Sequence, residues 1–139
     1  MNLLLEIITP QNLVYKNEVD EVIAPTVNGE IAILPNHIGL LTQITPGELI
    51  VKKGNKDQSI AITGGFLEVN NNQISVLADF AVKSEDINVA RAEEAKKRAE
   101  ALMKEKTTEK DFRIAEAQML KALLELKIAS KHKMRRLSP

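Results

Sequence analysis

The sequence has no cysteine and no tryptophan, and aromatic residues make up only 3% of its 139 positions. The missing thiol excludes a disulfide scaffold, a thiolate zinc site and thiol nucleophile chemistry together, and it fits a reducing compartment. With so few rings, a core must be built from Ile, Leu, Val and Ala, and there is little on which nucleic-acid bases could stack. Long apolar runs are absent too. None approaches the roughly 18–20 residues of a membrane-spanning helix, so no direct membrane insertion is expected. The apolar stretch near the start is broken by Glu6 and lacks a basic leader and a small-residue cleavage site, so it does not read as a signal peptide. The two histidines, His37 and His132, lie far apart with no acid cluster beside them, and no metal is expected. No acid pair or activated nucleophile stands at a usable spacing, which argues against an enzyme. Gly64-Gly65 is not followed by Lys-Ser or Lys-Thr, so it reads as a bulge or a corner between strands rather than a phosphate loop.

What is present is a 44% apolar chain of a length that suits one small domain with an appendage. Its formal net charge of zero conceals an asymmetry. Residues 1–84 carry five lysines against nine acids, a net −4, and residues 85–139 carry 14 bases against 10 acids, a net +4. From 121 onward, six bases face Glu125 alone, so the basic end suits an acidic surface or the negative pole of a helix.

The character of the chain changes at Leu77–Ile87. Before it, short apolar runs are cut by Gly, Pro and Asn. Leu3–Ile8 stops at Thr9-Pro10, and Leu13–Ala24 alternates loosely. Asn28-Gly29 signals a tight hairpin with both central residues at positive φ, leading into Ile31–Leu34 as a buried strand. Glu48–Lys52, Ser59–Thr63, Phe66–Val69 and Ile74–Ala78 follow, with Asn70-Asn71-Asn72 as a further turn. These strands predict an N-terminal antiparallel β-sandwich or flattened barrel of about eight to ten strands over residues 1–84.

After the change, Ala92, Ala95, Ala99 and Leu102 form one helical stripe, capped by Ser84 or Asp86. Thr108 to Asp111 resembles a capping box opening a second helix. Its stripe runs Phe112, Ala115, Met119, Ala122, Leu126 and Ala129, widened by Leu120, Leu123, Leu124 and Ile128. The expectation for residues 85–139 is a C-terminal antiparallel two-helix hairpin with more apolar surface than it can cover itself. Such a hairpin suits a conformational switch.

Gly29-Glu30-Ile31-Ala32-Ile33-Leu34-Pro35-Asn36-His37, then Leu40-Leu41-Thr42, Gly64-Gly65-Phe66-Leu67-Glu68-Val69 and Leu77-Ala78-Asp79 carry a family resemblance. Together they resemble the epsilon subunit of bacterial-type (F-type) ATP synthase, over nearly the whole chain. The resemblance implies a non-catalytic subunit of the central stalk, or rotor, of a proton- or sodium-translocating enzyme. It would be peripheral on the cytoplasmic face of the cell membrane, with a plastid thylakoid as the lesser alternative. Its sandwich would contact the gamma subunit and the c-ring, and its hairpin would restrain ATP hydrolysis by extending toward the alpha and beta subunits.

The resemblance implies a c-ring and gamma interface at Glu30 and His37. Read without it, the first is a turn carboxylate and the second caps a backbone group. Some relatives bind ATP through Ile or Leu, Asp, two variable residues, Arg and Ala. Here Ile87, Asn88, Arg91 and Ala92 stand in that pattern, with Arg98 further on. The Asp is replaced by Asn88, and Lys121 and Glu125 stand where strong binders carry two arginines. A carboxylate repels a triphosphate, so no cofactor is expected, and Arg91 and Arg98 read as partners of Glu94 and other helix acids. Lys121, Lys127, Lys131, Lys133, Arg135 and Arg136 form an inhibitory basic tail on the same resemblance. A small-molecule sensor clasping ATP would differ by binding ATP tightly as an isolated chain. A nucleic-acid module is disfavoured by overall neutrality and would show salt-steep RNA affinity.

Overall fold

A computed structural model describes residues 2–105 and 108–137, the last three by backbone only. The chain divides into two compact units, Met1–Lys83 and Ser84–Pro139.

The first unit holds ten strands: β1 Leu3–Ile8, β2 Leu13–Val19, β3 Glu21–Thr26, β4 Gly29–Ile33, β5 Leu40–Ile44, β6 Gly47–Lys53, β7 Lys56–Ile62, β8 Gly65–Asn70, β9 Gln73–Ala78 and β10 Ala81–Lys83. They form one sheet in the order β10-β7-β6-β3-β5-β8-β9-β1-β2, with β4 paired to β3 off this path. All pairings are antiparallel except that of β1 with β9.

Period-two alternation decides what this sheet buries. Leu3, Leu5 and Ile7 of β1 point inward with Leu67 and Val69 of β8 and Ile74 and Val76 of β9. Leu49, Val51, Ile60 and Ile62 of β6 and β7 complete the core. Each such side chain, fully buried, contributes roughly 1.5–3 kcal/mol. The sheet folds back so that its two edge strands approach: the Lys83 ammonium on β10 lies 5.8 Å from the centroid of the Tyr15 ring on β2. Burial pushes the Tyr15 hydroxyl above its usual range.

Two turns differ in an instructive way. Between β8 and β9, Asn71 and Asn72 both adopt positive φ, 48° and 64°, as a two-residue hairpin requires and Asn tolerates. Between β3 and β4 the central residues are Val27 and Asn28, and only Gly29 has positive φ, at 103°. The expected Asn28-Gly29 turn is therefore shifted by one residue. A Thr26 hydroxyl that donates to the Gly29 carbonyl at 2.6 Å and accepts from the Asn28 N–H at 3.2 Å holds the shifted form. Ile31–Leu34 is also less buried than its composition suggests. Only Ile33 is enclosed, because β4 pairs with β3 alone.

The second unit opens with a 3₁₀ turn, Ser84–Asp86, followed by α1, Val89–Lys104, and α2, Glu109–Leu137. The cap of α1 is neither Ser84 nor Asp86, which the 3₁₀ turn absorbs. It is Asn88, extended at φ −91° and ψ 101°, whose side-chain oxygen accepts the Arg91 N–H at 3.1 Å. Thr108 caps α2 as its sequence indicates, its hydroxyl accepting the Asp111 N–H at 3.1 Å. The helices pack on one another. Ala92 and Ala99 of α1 and Ala115 and Ala122 of α2 are buried at positions symmetric about residue 107, and their small side chains permit close approach. The α2 stripe is narrower than expected. Ile128 is buried and Leu124 half-buried, but Leu120 and Leu123 face solvent.

Candidate partner-binding surfaces

The second face of the β5-β8-β9-β1 part of the sheet is not polar throughout. Phe66 lies directly opposite Leu77 on the neighbouring strand, and Leu77 lies opposite Ile8 of β1. Leu41 stands diagonally from Phe66, since Leu41 pairs with Glu68 and Gln43 with Phe66. Leu41 is 69% exposed, Phe66 55% and Leu77 58%. An apolar strip thus crosses four strands, edged by Glu68, Gln43 and Ser75. Scattered exposed apolar residues need no explanation, whereas a contiguous strip on a sheet whose core is already filled marks a contact surface.

Glu30 and His37 lie toward opposite ends of β4, the first within the strand and the second in the loop beyond it. Glu30 is exposed beside the shifted turn, paired with Pro25. His37 follows the far end of β4, in a loop fastened by the Asn36 N–H, which donates to the Asn72 side chain at 2.6 Å. The His37 backbone N–H donates to the Leu34 carbonyl at 3.1 Å, and its ring Nδ1 lies 2.6 Å from the Ile38 carbonyl. A carbonyl only accepts, so the neutral ring carries its proton on Nδ1. With only two histidines in the chain, imidazole ¹⁵N spectra of the neutral rings should show His37 as the Nδ1–H tautomer. Predominance of the Nε2–H form would contradict this geometry.

On the hairpin, Arg91, Lys121 and Glu125 form one electrostatic group, since both cations act on the Glu125 carboxylate. Arg98 is exposed two turns further along α1, and Ile87 is half-buried, its N–H donating to the Ser84 carbonyl at 3.3 Å. Asn88 is engaged in capping, and Ala92 is buried in the helix pairing. Lys127, Lys131 and Lys133 are exposed on the last turns of α2, while the side chains of Arg135 and Arg136 lie outside the described residues. Among the described residues no group of His, Cys, Asp or Glu is arranged to hold a metal.

Two family models match, the β-sandwich domain of the ATP synthase delta/epsilon chain over residues 2–84 and its long α-helix domain over residues 85–130. The chain belongs to the ATP synthase delta/epsilon family. Among its relatives are the ATP synthase epsilon chain of Dehalococcoides mccartyi, 45% identical over 130 residues that make up 93% of each chain, and that of Desulforamulus reducens, 43% identical over 90% of this chain and 95% of the relative. The fold is also that of a chain in the Euglena gracilis mitochondrial ATP synthase (TM-score 0.63, 23% identity, 96% of this chain and 81% of the other). A second neighbour is in the Tetrahymena thermophila mitochondrial ATP synthase central stalk and c-ring (TM-score 0.58, 16% identity, 93% and 97%).

Glu125 is a half-buried carboxylate on α2. Burial pushes its carboxyl above the usual carboxylate range, and Lys121 and Arg91 only partly oppose that. A raised folded-state value means that Glu125 favours the folded hairpin below the ordinary carboxylate pKa and loses that contribution as pH rises through the raised value. At neutral pH its charge is a net cost, so Glu125→Gln should stabilise the hairpin by a few tenths of a kcal/mol after solvent screening, about 0.5 at most. Hydrogen exchange of α1 and α2 at pH 5 and pH 7 checks this; faster exchange in the Gln variant at pH 7 would refute it.

The exposed apolar strip at Leu41, Phe66 and Leu77 is a candidate surface that sequence reasoning missed. Its signal was present: Phe66 and Leu77 fall on the same strand phase as Glu68 and Ser75, where a one-sided sheet should be polar.

Proposed function

We propose that this chain is a non-catalytic rotor subunit of the F-type ATP synthase central stalk, coupling the c-ring to the gamma subunit. The observation that carries the reading is the Leu41–Phe66–Leu77 strip. It is an exposed apolar face on a sandwich with a completed core, and it suits a permanent partner, here the gamma subunit. The exposed Glu30 at the start of β4 supplies a separate polar contact for the c-ring, and His37 a further one toward gamma. No helix among the described residues is long and apolar enough to cross a membrane, which accords with a peripheral position on the cytoplasmic face.

The hairpin is the regulatory element in this reading. Extended, it brings Lys121, Lys127, Lys131, Lys133, Arg135 and Arg136 toward acidic surfaces of the alpha and beta subunits and restrains hydrolysis. Each exposed pair is worth only ~0.2–1 kcal/mol, so restraint requires several together. ATP is disfavoured as the ligand that holds the hairpin in this reading, because Asn88 caps α1 and Glu125 adds a negative charge near Arg91. The test is a tagged chain expressed with the other subunits, which should recover gamma and, through it, alpha and beta. A chain ending at residue 120 should assemble and relieve the restraint. Recovery of the chain as a lone monomer would overturn the assignment.

A further inference from the structure

The two helices of the hairpin are unequal: α1 has 16 residues and α2 has 29. Because their buried alanines are symmetric about residue 107, the start of α1 at Val89 corresponds to Glu125 on α2. Beyond Glu125 the last turns of α2 outrun α1. Within this unit, the segment available to hold them is the 3₁₀ turn at the root of the hairpin, which packs on α2.

One side chain of that turn reaches the overhang. Ser84 is the first residue of the second unit, and its surface is only 6% exposed. Its hydroxyl lies 3.3 Å from Nδ1 of His132, 48 positions later in the sequence. A buried hydroxyl requires a partner, and His132 supplies it. The bond persists in either charge state of the ring. With a neutral imidazole protonated at Nε2 the Ser84 hydroxyl donates to Nδ1, and with an imidazolium Nδ1–H donates to the Ser84 oxygen. At 3.3 Å it is a long hydrogen bond, suited to opening and closing. It is too weak to close a loop of this length by itself. The paired helices do that, and the bond acts together with the buried Ile128 in setting where the overhanging turns lie.

We propose that Ser84 and His132 form a latch that holds the C-terminal turns of α2 at the root of the hairpin, and that its release frees the basic end of α2, with Lys127, Lys131 and Lys133, for a partner. The second half of this statement rests on the inhibitory role proposed above. The pair joins the residue where the second unit begins to the turns that carry the basic charge.

Hydrogen exchange on the full chain tests the latch. Ser84→Ala and His132→Ala should each speed exchange over residues 126–134 by roughly three- to tenfold, leaving residues 93–122 unchanged. The double variant should be no faster than the faster single, because the two side chains form one interaction. His132→Gln provides a second variant of different size, and the ¹⁵N signal of His132 Nδ1 should move in Ser84→Ala. Unchanged exchange in the single variants, or effects that multiply in the double, would overturn the latch whatever happens in the assembled enzyme. In the assembled ATP synthase both single variants should hydrolyse ATP more slowly. If exchange responds and hydrolysis does not, the latch stands and the inhibitory role of the hairpin falls.

Discussion

Replacing Gly65 by alanine is expected to destabilise the sandwich by about 3–5 kcal/mol. Gly65 has φ +122°, where an L-residue is strained, and a Cβ there would overlap the Leu77 carbonyl oxygen and sit 2.8 Å from the Ala78 Cα. These are backbone atoms of the adjacent strand, so no rotamer change relieves them. Gly65 pairs with Ala78 on one side and Ile44 on the other, and moving it away would break both registers at once. Gly29 is the control. It too has positive φ, +103°, but a Cβ there meets nothing within 4 Å, so alanine should cost only about 1 kcal/mol of backbone strain. Since each kcal/mol lowers the melting temperature of a unit this size by about 4–8 °C, Gly65→Ala should melt more than ~12 °C lower. A drop no larger than that of Gly29→Ala would show that the close approach at Gly65 is wrong.

The same position shows how far sequence reasoning reaches. Gly64-Gly65 without a following basic residue already read as a corner between strands, because phosphate cradling needs a helix start and a cation that are missing here. The choice of which of the two glycines is irreplaceable depended on β9 lying against Gly65, a contact between segments about twelve residues apart that no local pattern encodes. The strand phases of β1, β8 and β9 were legible because the inner positions are uninterrupted Leu, Ile and Val. The β3–β4 turn slipped by one residue because the Thr26 hydroxyl, not the Asn-Gly pair, holds its geometry. Likewise Asn88 displaced Ser84 and Asp86 as the cap of α1 once those two entered a 3₁₀ turn.

The candidate surfaces divide in the same manner. Arg91, Lys121 and Glu125 could be singled out individually, but that burial outweighs two cations at Glu125 is a property of the packed helices. The Ser84–His132 pair spans the whole hairpin and has no sequence signature at all. The apolar strip was concealed by a different habit. Phe66 and Leu77 were read only as members of their strands, although their neighbours at the same phase, Glu68 and Ser75, show that they point away from the core.

That strip sets the second large effect, on assembly rather than on folding. Substituting Phe66→Glu together with Leu77→Lys should leave the isolated chain within roughly 1 kcal/mol of its original stability. Both side chains are more than half exposed, and opposite charges on directly paired strand positions support each other. On the rotor reading the same pair occupies the centre of the gamma contact, where each anchor removed typically costs 2 kcal/mol or more. The double variant should therefore bind gamma roughly a hundredfold or more weakly and drop out of the purified enzyme. Glu30→Lys, at the start of β4 and outside the strip, should leave gamma recovery intact and weaken only the association with the c-ring. Pull-downs with tagged gamma, alongside melting curves of the free chains, separate the alternatives. A double variant that folds normally and still recovers gamma at the original level would move the contact elsewhere on the sandwich and leave the strip without a role. A double variant that no longer folds would instead show that Phe66 and Leu77 pack within this chain, against their exposure.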